Sequence, residues 1–343
     1  MVIGAPLLAV AAAGWRRRTL LIALMLAFAL GNAASALAPG YLSLNALRFL
    51  TGLPHGTYFG VASLVAAGLA PPGRRAQAVG QVMLGLTVAT VVGVPLAAWL
   101  GQVLGWRAAF GLVGAIDLLA AALVWHRVPD EAAPAGASPL RELGALRRPQ
   151  VWLTLGIGAV GFGGLFAVFS YIAPTLVHVS GLDAARVPWV LAVFGLGMVA
   201  GNLVGARLAD RALDATVGGV LAWGALVLAL FVVSAHHPVA ATVNVFFIGT
   251  LVTIGPALQI RLMDVAGDAQ TLAAALNHSA FNVANALGAW LGGVTIAAGL
   301  GWTSTGWVGA LLALGGLAVF GASLALARRE ARRASAKVVD ELR

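Results

Sequence analysis

The sequence predicts an all-α polytopic membrane protein, and its composition and the spacing of its apolar residues carry that prediction. Of 343 residues, 60% are hydrophobic and 10% are charged, and the mean hydropathy is +0.94. A soluble domain has about 25% charged residues. The apolar residues form blocks of roughly 20, the length of a bilayer-crossing helix. The alternating strands of about ten residues that build a membrane β-barrel do not occur in the sequence.

The hydrophobic pattern predicts about eleven spans. Arginine, proline and glycine mark the breaks between them, because these residues end helices or stay out of lipid. The predicted spans cover residues 1–13, 19–38, 42–69, 76–104, 107–126, 152–178, 187–206, 216–235, 238–260, 271–299 and 304–326. The first block is shorter than the about 20 residues that a full crossing needs.

The placement of lysine and arginine predicts the orientation in the membrane. Of the 21 basic residues, Arg107 and Arg186 fall on one side, Arg48 lies inside a span, and the remaining 18 fall on the other side. The positive-inside rule makes that other side cytoplasmic, together with the C-terminus. The net charge of +9 therefore reflects topology and contact with the lipid bilayer. We expect no nucleic-acid partner and a multi-pass location in a bacterial-type inner membrane.

The first predicted span is incomplete. Eleven spans and a cytoplasmic C-terminus would put Met1 outside, at the end of a half-length helix. A signal peptide explains this poorly, because its basic residues come before the apolar stretch, whereas Arg16 to Arg18 follow it. We expect an earlier helix to belong before residue 1, lost through a misplaced start or a true truncation. A truncated fragment that lacks the activity of the intact protein therefore stays open as an alternative.

A polar linker is predicted to divide the chain. Residues 128–150 are rich in proline, alanine and charge, and include an amphipathic stretch that predicts a short helix at 139–148. The predicted parts are an N-terminal helix bundle that lacks its first helix, the cytoplasmic linker, a C-terminal six-helix bundle and a basic cytoplasmic tail. These parts cover residues 1–127, 128–150, 151–327 and 328–343.

The two halves resemble each other. GAPLLAVAAAGWRRR (4–18) occupies the place of GNLVGARLADRALDA (201–215), and TVATVVGVPLAAWLG (87–101) that of SAFNVANALGAWLGG (279–293). The offset is roughly 190–200 residues in both cases, as in transporters built from two repeated halves.

Four stretches carry a family resemblance over essentially the whole chain: RFLTGLPHGTYFG (48–60), GVPLAAWLGQVLGWRAAF (93–110), GLGMVAGNLVGARLADR (195–211) and LNHSAFNVANALGAWLGG (276–293). With them the chain resembles a major facilitator superfamily transporter. The likeness is to the drug:H⁺ antiporter branch with its arabinose-efflux and chloramphenicol-efflux permeases.

The resemblance implies a two-bundle fold of twelve helices and a secondary transporter that works by alternating access. It also implies efflux of a small organic solute, either a drug or a sugar, driven by inward proton flow. The proton gradient is then the only coupling agent, with no cofactor, and we expect a monomer. The acidic residue that the family carries on its first helix has no counterpart in this sequence.

The resemblance also implies gating residues. Gly205, Asp210 and Arg211 resemble the family's cytoplasmic G-x-x-x-D-R pattern, read as a latch that closes the inner gate. An ordinary solvated loop is the alternative. The first-half copy is degenerate, because Leu8, Ala13 and Gly14 stand in the matching places.

A second gating element is predicted on the fifth helix of the family. Gly93 and Pro95 resemble the family's glycine–proline kink, with Val94 between them. Gly255–Pro256 predicts a helix break in the second half.

Arg48 is a permanent charge at bilayer depth, which is costly unless it faces protein or water. Gly52, Gly56 and Gly60 follow it at intervals of four and predict a close helix contact. The functional interpretation is a cavity charge that binds an anionic group or assists proton release, which the resemblance supports. The alternative is a structural arginine that snorkels to the interface.

Three further titratable side chains fall inside predicted spans. His55 and Tyr58 lie one turn apart beside Pro54, and a histidine titrates near neutral pH, which suits proton coupling. Asp117 is a candidate proton carrier on a helix that the resemblance places away from the cavity. The alternatives are hydrogen-bonded packing residues, and for Asp117 a neutral acid bonded to a backbone carbonyl.

Two sets of side chains are candidates for the substrate surface. On the predicted helix 271–299, His278, Asn282 and Asn285 share one face by helical spacing, and their polarity favours a cavity or a helix contact over lipid. Aromatic residues of 152–178 are read as cavity walls or as lipid-facing rings. The aromatic candidates for the substrate pathway are Phe162, Phe166 and Tyr171. Gln81 and Thr90 are polar candidates in the first half.

The sequence argues against an enzyme. It has no cysteine, which excludes disulfides, thiolate metal sites and cysteine nucleophiles. A polytopic membrane enzyme would need clustered ligands or a nucleophile with its base, and neither an HExxH motif nor paired carboxylates occur. We therefore expect no catalytic residue and no metal site.

Overall fold

The computed structural model describes residues 2–131 and 138–341, and this part of the chain is helical with no strand. Nine helices in it are long and apolar enough to cross a membrane. Some of them contain a short 3₁₀ or π segment, so they are divided into consecutive α-helices. The predicted all-α polytopic fold is confirmed.

The α-helices in chain order are α1 Gly4–Ala11, α2 Arg17–Ala36, α3 Tyr41–Gly52, α4 His55–Leu69, α5 Arg75–Val88, α6 Val94–Val103, α7 Trp106–Arg127, α8 Pro139–Leu143, α9 Pro149–Gly156, α10 Gly163–Phe169, α11 Ile172–His178, α12 Val187–Arg211, α13 Leu213–Ser234, α14 Pro238–Gly249, α15 Ile254–Ala266, α16 Gln270–Ala297 and α17 Ser304–Glu341.

Two of the eleven predicted spans are not continuous long helices. The predicted span 42–69 is broken between α3 and α4 at Leu53 and Pro54, because proline lacks the N–H that would continue the hydrogen-bond ladder. The predicted span 1–13 contains only the two turns of α1. Arg48 therefore lies on a different helix from His55, and the expected single glycine stripe is divided between α3 and α4.

Helix irregularities occur where glycine and proline predict them. A π-helical turn, Ala89–Gly93, joins α5 to α6 and ends two residues before Pro95. In the second half a 3₁₀ turn, Thr250–Thr253, precedes α15, which carries Gly255 and Pro256 in its first turn. A local change of helix type thus marks both of the positions where a break is predicted.

The helices pack as two groups that meet along α1, α4 and α5 on one side and α12, α15 and α16 on the other. The N-terminal group contains α1 to α7 and the C-terminal group α9 to α17. Gly60 lies against the backbone of Ala274 and Ala275, where a Cβ would meet atoms at 2.7 to 2.9 Å. Small residues thus let α4 and α16 approach closely.

An apolar cluster crosses the junction of the two groups. Leu64, Val79 and Met83 from the N-terminal group are buried with Ile254 and Ala274 from the C-terminal group. Burial of this kind fixes which helix faces meet, because cores are close-packed and tolerate little displacement.

The ends of the helices that carry most of the arginines lie together. Arg16 pairs with Asp130 at 2.8 Å, and Arg75 pairs with Asp264 at 2.9 Å. We call this end of the molecule, which also holds Arg74 and Arg148, the arginine-rich end.

The predicted linker helix is present at the arginine-rich end. It consists of α8 followed by a 3₁₀ turn, Gly144–Arg147, and Ser138 caps it by accepting a hydrogen bond from the Arg141 N–H. Helix α8 contacts α1 and α16, so it bridges the two groups. The predicted linker stretch at 132–137 and the last two residues of the predicted tail lie outside the described residues.

Candidate functional site

Two histidines from different groups face each other at the junction. His55 opens α4 and His278 lies in the middle of α16, and their ring centroids are 6.4 Å apart. Phe59, one turn after His55, lies 4.9 Å from each imidazole, measured between centroids. The structure thus brings together two predicted site residues that are more than 200 positions apart in sequence.

His278 has an unsatisfied polar atom. Its side chain is buried, and among the described residues its Nε2 has no hydrogen-bond partner. An unpaired buried polar atom costs about 1–3 kcal/mol, so such an atom in a native fold calls for an explanation. A ligand that offers a complementary group would satisfy it.

Aromatic rings extend this histidine pair in both directions. In the N-terminal group Phe28 meets His55 and Tyr58 edge-on, with centroid distances of 6.2 and 6.4 Å. In the C-terminal group Phe281 lies 6.1 Å from His278 and 5.0 Å from Phe162. We call this set of rings the junction cluster. Its full membership is Phe28, His55, Tyr58, Phe59, Phe162, Phe166, His278 and Phe281.

Tyr171 lies outside the junction cluster. Its hydroxyl donates a 2.7 Å hydrogen bond to the carbonyl of Ala289, and its ring packs against Gly292 and Gly293. It therefore fixes the start of α11 against α16 within the C-terminal group.

The polar side chains predicted to line the substrate surface on α16 have different partners. Asn282 donates to the carbonyl of His278 at 2.7 Å and so bonds its own helix, while the side chain of Asn285 is exposed. Asn277 instead donates a 2.6 Å hydrogen bond to the buried Gln259. Of these described side chains, His278 is the one with a buried polar atom that lacks a partner.

Gln81 and Thr90 lie outside the junction cluster. Gln81 is exposed and lines a surface cavity with Leu69, Ala70 and Arg74 at the arginine-rich end. The exposed Thr90 donates to the carbonyl of Leu86 on its own helix. Their place in the substrate pathway stays a prediction.

Arg48 and Asp117 are joined through a residue that the sequence did not single out. Nη1 of Arg48 donates to Oδ1 of Asn32 at 2.9 Å, and Nδ2 of Asn32 donates to Oδ2 of Asp117 at 2.8 Å. The guanidinium carbon of Arg48 lies 5.2 Å from the ring centre of Phe110. The partner of Asp117 is thus an asparagine side chain, not the backbone carbonyl considered as its alternative.

Asp210 links the two groups at the arginine-rich end. Its carboxylate accepts hydrogen bonds from the N–H groups of Ala76 and Gln77 at 2.6 and 3.0 Å, and from Nε2 of Gln77 at 3.0 Å. These backbone groups are the free donors of the first turn of α5, which a carboxylate satisfies well. Gly205, five residues earlier, lies directly against the side chain of Thr253.

Arg211 and Arg261 have different surroundings in the C-terminal group. Arg211 lines a cavity of the C-terminal group with Leu208 and Trp223. Arg261 counts as a loop residue in the sequence pattern, but its side chain is buried, paired with Asp214 and bonded to Ser323 at 3.0 Å. Helix α15 continues to Ala266, which draws Arg261 into the helical part of the chain.

A second carboxylate caps a helix at the arginine-rich end. Oε2 of Glu142, on α8, accepts a 2.8 Å hydrogen bond from the N–H of Leu272 in the first turn of α16, and the Glu142 side chain is buried. Arg141 beside it pairs with Asp268 at 2.9 Å.

Sequence reasoning missed Asn32, Phe28, Phe59, Phe281 and Glu142. Asn32 is a strongly polar residue within a predicted span, which was an available signal. The phenylalanines gave none, because apolar residues are expected throughout a membrane helix. Among the described residues, no group of three or more His, Asp or Glu could hold a metal ion.

The model of the family described as Major Facilitator Superfamily matches residues 1–271. Inner membrane transport protein YdhP of Escherichia coli K12 is 37% identical over 314 residues, which cover 91% of this chain and 81% of that protein. The chloramphenicol resistance protein of Streptomyces lividans is 36% identical over 320 residues, again covering 91% and 81%.

A solved structure shows the same fold. The Escherichia coli fucose:proton symporter FucP superposes with a TM-score of 0.72 at 17% identity, over 94% of this chain and 87% of that chain.

Proposed function

The chain belongs to the Major Facilitator Superfamily, and from that premise we propose that it exports a small organic solute by alternating access, driven by inward proton flow. The chain is a multi-pass membrane transporter and not an enzyme. The observation that carries the finer proposal is the pair His55 and His278, one from each helical group, with an unpartnered buried Nε2 between aromatic rings.

The junction cluster suits a substrate site because both groups contribute to it. In alternating access two helix bundles rock about a site at their interface. A ligand held between α4 and α16 contacts both moving parts, so its binding is coupled to their relative position. We propose that the N-terminal and C-terminal groups are these two bundles, and that the arginine-rich end faces the cytoplasm, as the positive-inside rule predicts.

The chemistry of the cluster favours a solute with an apolar, flat part and a hydrogen-bonding group. Ring faces of Phe59 and Phe281 offer stacking surface, while His278 offers one unsatisfied nitrogen. Both drugs and sugars stay open as substrate classes. Named relatives include the chloramphenicol resistance protein and a probable sugar efflux transporter of Helicobacter pylori, 29% identical over 313 residues.

Proton coupling is supported by the chain of Arg48, Asn32 and Asp117. Asp117 is an intramembrane acid joined through one amide to the fixed positive charge of Arg48, and acids at this depth mark proton relays. His55 is a second proton-carrying candidate, because imidazole exchanges protons near neutral pH.

Reconstituted proteoliposomes test the proposal directly. The purified chain is incorporated with a trapped pH dye, and the flux of radiolabelled chloramphenicol and of radiolabelled arabinose is followed with and without an imposed pH gradient. The proposal predicts that one of these probes moves against the direction of proton flow and that the dye reports the proton movement. A substrate flux that does not change with the imposed pH gradient would refute proton coupling. Saturation of that flux at high substrate concentration would still demonstrate transport.

A further inference from the structure

At the arginine-rich end, the two halves of the chain differ in the residue that caps a helix N-terminus. In the second half Asp210 caps the first turn of α5, a helix of the opposite group. The repeat places Ala13 at the position that corresponds to Asp210, and its methyl side chain cannot accept a hydrogen bond. The partner that this missing carboxylate would have is the first turn of α16.

Helix α16 corresponds to α5 in the repeat. It begins at Gln270 and α5 at Arg75, so the two starts differ by 270 − 75 = 195 positions, within the offset of the repeated stretches. The first N–H groups of such a helix have no partner within it and carry a partial positive charge. Without a cap, the buried N–H of Leu272 would be unsatisfied.

The structure supplies that cap from the linker. The carboxylate of Glu142 lies 2.8 Å from the N–H of Leu272, and the two residues are 6% and 1% exposed. Water is thus excluded from a bond between an acid and a helix N-terminus, which strengthens it. Nearby, Ala145 of the linker packs in one buried cluster with Ala5 and Ala9 of α1 and Ala273 of α16.

We propose that Glu142 is the positioning residue that replaces the lost carboxylate of the first half, so that the linker helix forms one arm of a paired latch. Each arm places an acid on the first turn of a helix, Asp210 on α5 and Glu142 on α16. The latch is closed in this structure. Opening the arginine-rich end separates α1 from α16, and α8, which contacts both and is bonded to α16 through Glu142, must then leave one of them.

This inference rests on the proposed alternating access, but it also makes a separate structural prediction. Loss of Glu142 should favour the conformation that is open at the arginine-rich end, even without substrate or proton gradient. Loss of Asp210 should also favour the open conformation, because both arms stabilise the same closed state. Loss of both should open this end more than either loss alone.

The absence of native cysteine gives a clean probe. Ala9 is fully buried in the cluster beneath α8, and Ala9→Cys adds one small thiol there. The reaction of this introduced thiol with a membrane-impermeant maleimide reports how often the seam between α1, α8 and α16 opens. The measurement is made on the full chain in proteoliposomes whose arginine-rich end faces the added reagent, and needs no substrate.

Glu142→Gln keeps the shape of the side chain and removes its charge, and Glu142→Ala removes the acceptor altogether. In the Ala9→Cys background we expect Glu142→Ala to raise the labelling rate about fivefold, the typical effect of losing a helix cap, and Glu142→Gln to raise it less. Glu131→Gln makes the same chemical change at an exposed linker position and should leave the rate unchanged. Asp210→Asn should raise it as Glu142→Gln does.

An unchanged labelling rate in both Glu142 variants, with a raised rate in Asp210→Asn, would overturn the assignment and leave the proposed transport intact. Elution of each variant as a single species from a sizing column separates latch loss from misfolding. If Glu142→Ala does not fold, Glu142→Gln and its Glu131→Gln control decide the question. Failure of proton-driven flux in the parent chain would instead contradict the proposed function, since labelling does not depend on it.

Discussion

The side-chain amide of Asn32 donates a 2.8 Å hydrogen bond to Oδ2 of Asp117 and accepts a 2.9 Å hydrogen bond from Arg48 through its oxygen. One buried amide on α2 thus connects an acid on α7 with a permanent positive charge on α3. A carboxyl has two oxygens, so Oδ2 can keep its bond to Asn32 when the other oxygen carries a proton. Such a group can take up and release a proton without losing its partner.

Asp117→Asn tests whether this acid carries the coupling proton. The variant keeps the shape and one acceptor oxygen but cannot titrate. If Asp117 is the carrier, substrate flux driven by a pH gradient falls to the rate measured without a gradient, while exchange of substrate across the membrane persists. Flux that still follows the gradient in the variant would show that the proton travels elsewhere, with His55 the next group to examine.

Asn32→Ala separates the structural role of the amide from proton transfer. The change leaves Asp117 and Arg48 without the group that links them, which we expect to lower the free energy of unfolding by about 1–3 kcal/mol. Asn45→Ala on α3 is the matched control, because Asn45 is exposed and surface substitutions stay within about 0.5 kcal/mol. Thermal unfolding in detergent measures both. Equal stability of the two variants would contradict the network.

His278→Ala tests the junction cluster as the substrate site. The variant removes the unpaired Nε2, so a solute that bonds to it should lose about three- to tenfold in affinity, the worth of one hydrogen bond. His178→Ala is the control, because His178 also packs on an aromatic ring, at 5.7 Å from Trp302, but in the C-terminal group alone. Binding of the transported probe, measured by equilibrium counterflow, distinguishes them. A parallel loss in both variants would argue for a general packing effect.

Sequence alone predicted the membrane helices well because lipid imposes a simple rule of length and apolarity on each. The helix breaks at Gly93 and Gly255 were also predictable, since glycine and proline act through the local backbone. His55 and His278 each stand out in the sequence as polar residues in apolar surroundings. Their proximity was not predictable, because nothing in one helix records which face its distant partner will present.

The surroundings of other side chains also depend on tertiary packing. The sequence predicts Gln81, Thr90 and Asn285 as substrate-pathway residues because polar side chains usually avoid lipid; their side chains are exposed, and their role stays a prediction. Glu142 reads as part of a solvated linker, because a charged stretch outside the spans normally faces water. Its burial results from α8 folding back over α1 and α16, which is a tertiary event with no local signature.

The contact between α4 and α16 allows the last test, which concerns the movement of the groups. A Cβ at Gly60 would lie 2.7 Å from the backbone nitrogen of Ala275, and backbone atoms cannot move aside as a flexible side chain can. Gly60→Ala should therefore force the two helices apart and lower the free energy of unfolding by about 1–3 kcal/mol, the usual cost of overpacking.

Gly68→Ala, on the same helix, is the matched control, because nothing lies within 4 Å of a Cβ there. That variant should be neutral or slightly more stable, since alanine is the better helix former by about 1 kcal/mol. Unfolding curves of the two variants give the comparison. If Gly60→Ala proved as stable as Gly68→Ala, the helices would have to separate easily at this point. The close contact would then be a feature of one conformation only, and the double variant Ala9→Cys, Gly60→Ala would reveal this as a raised rate of thiol labelling.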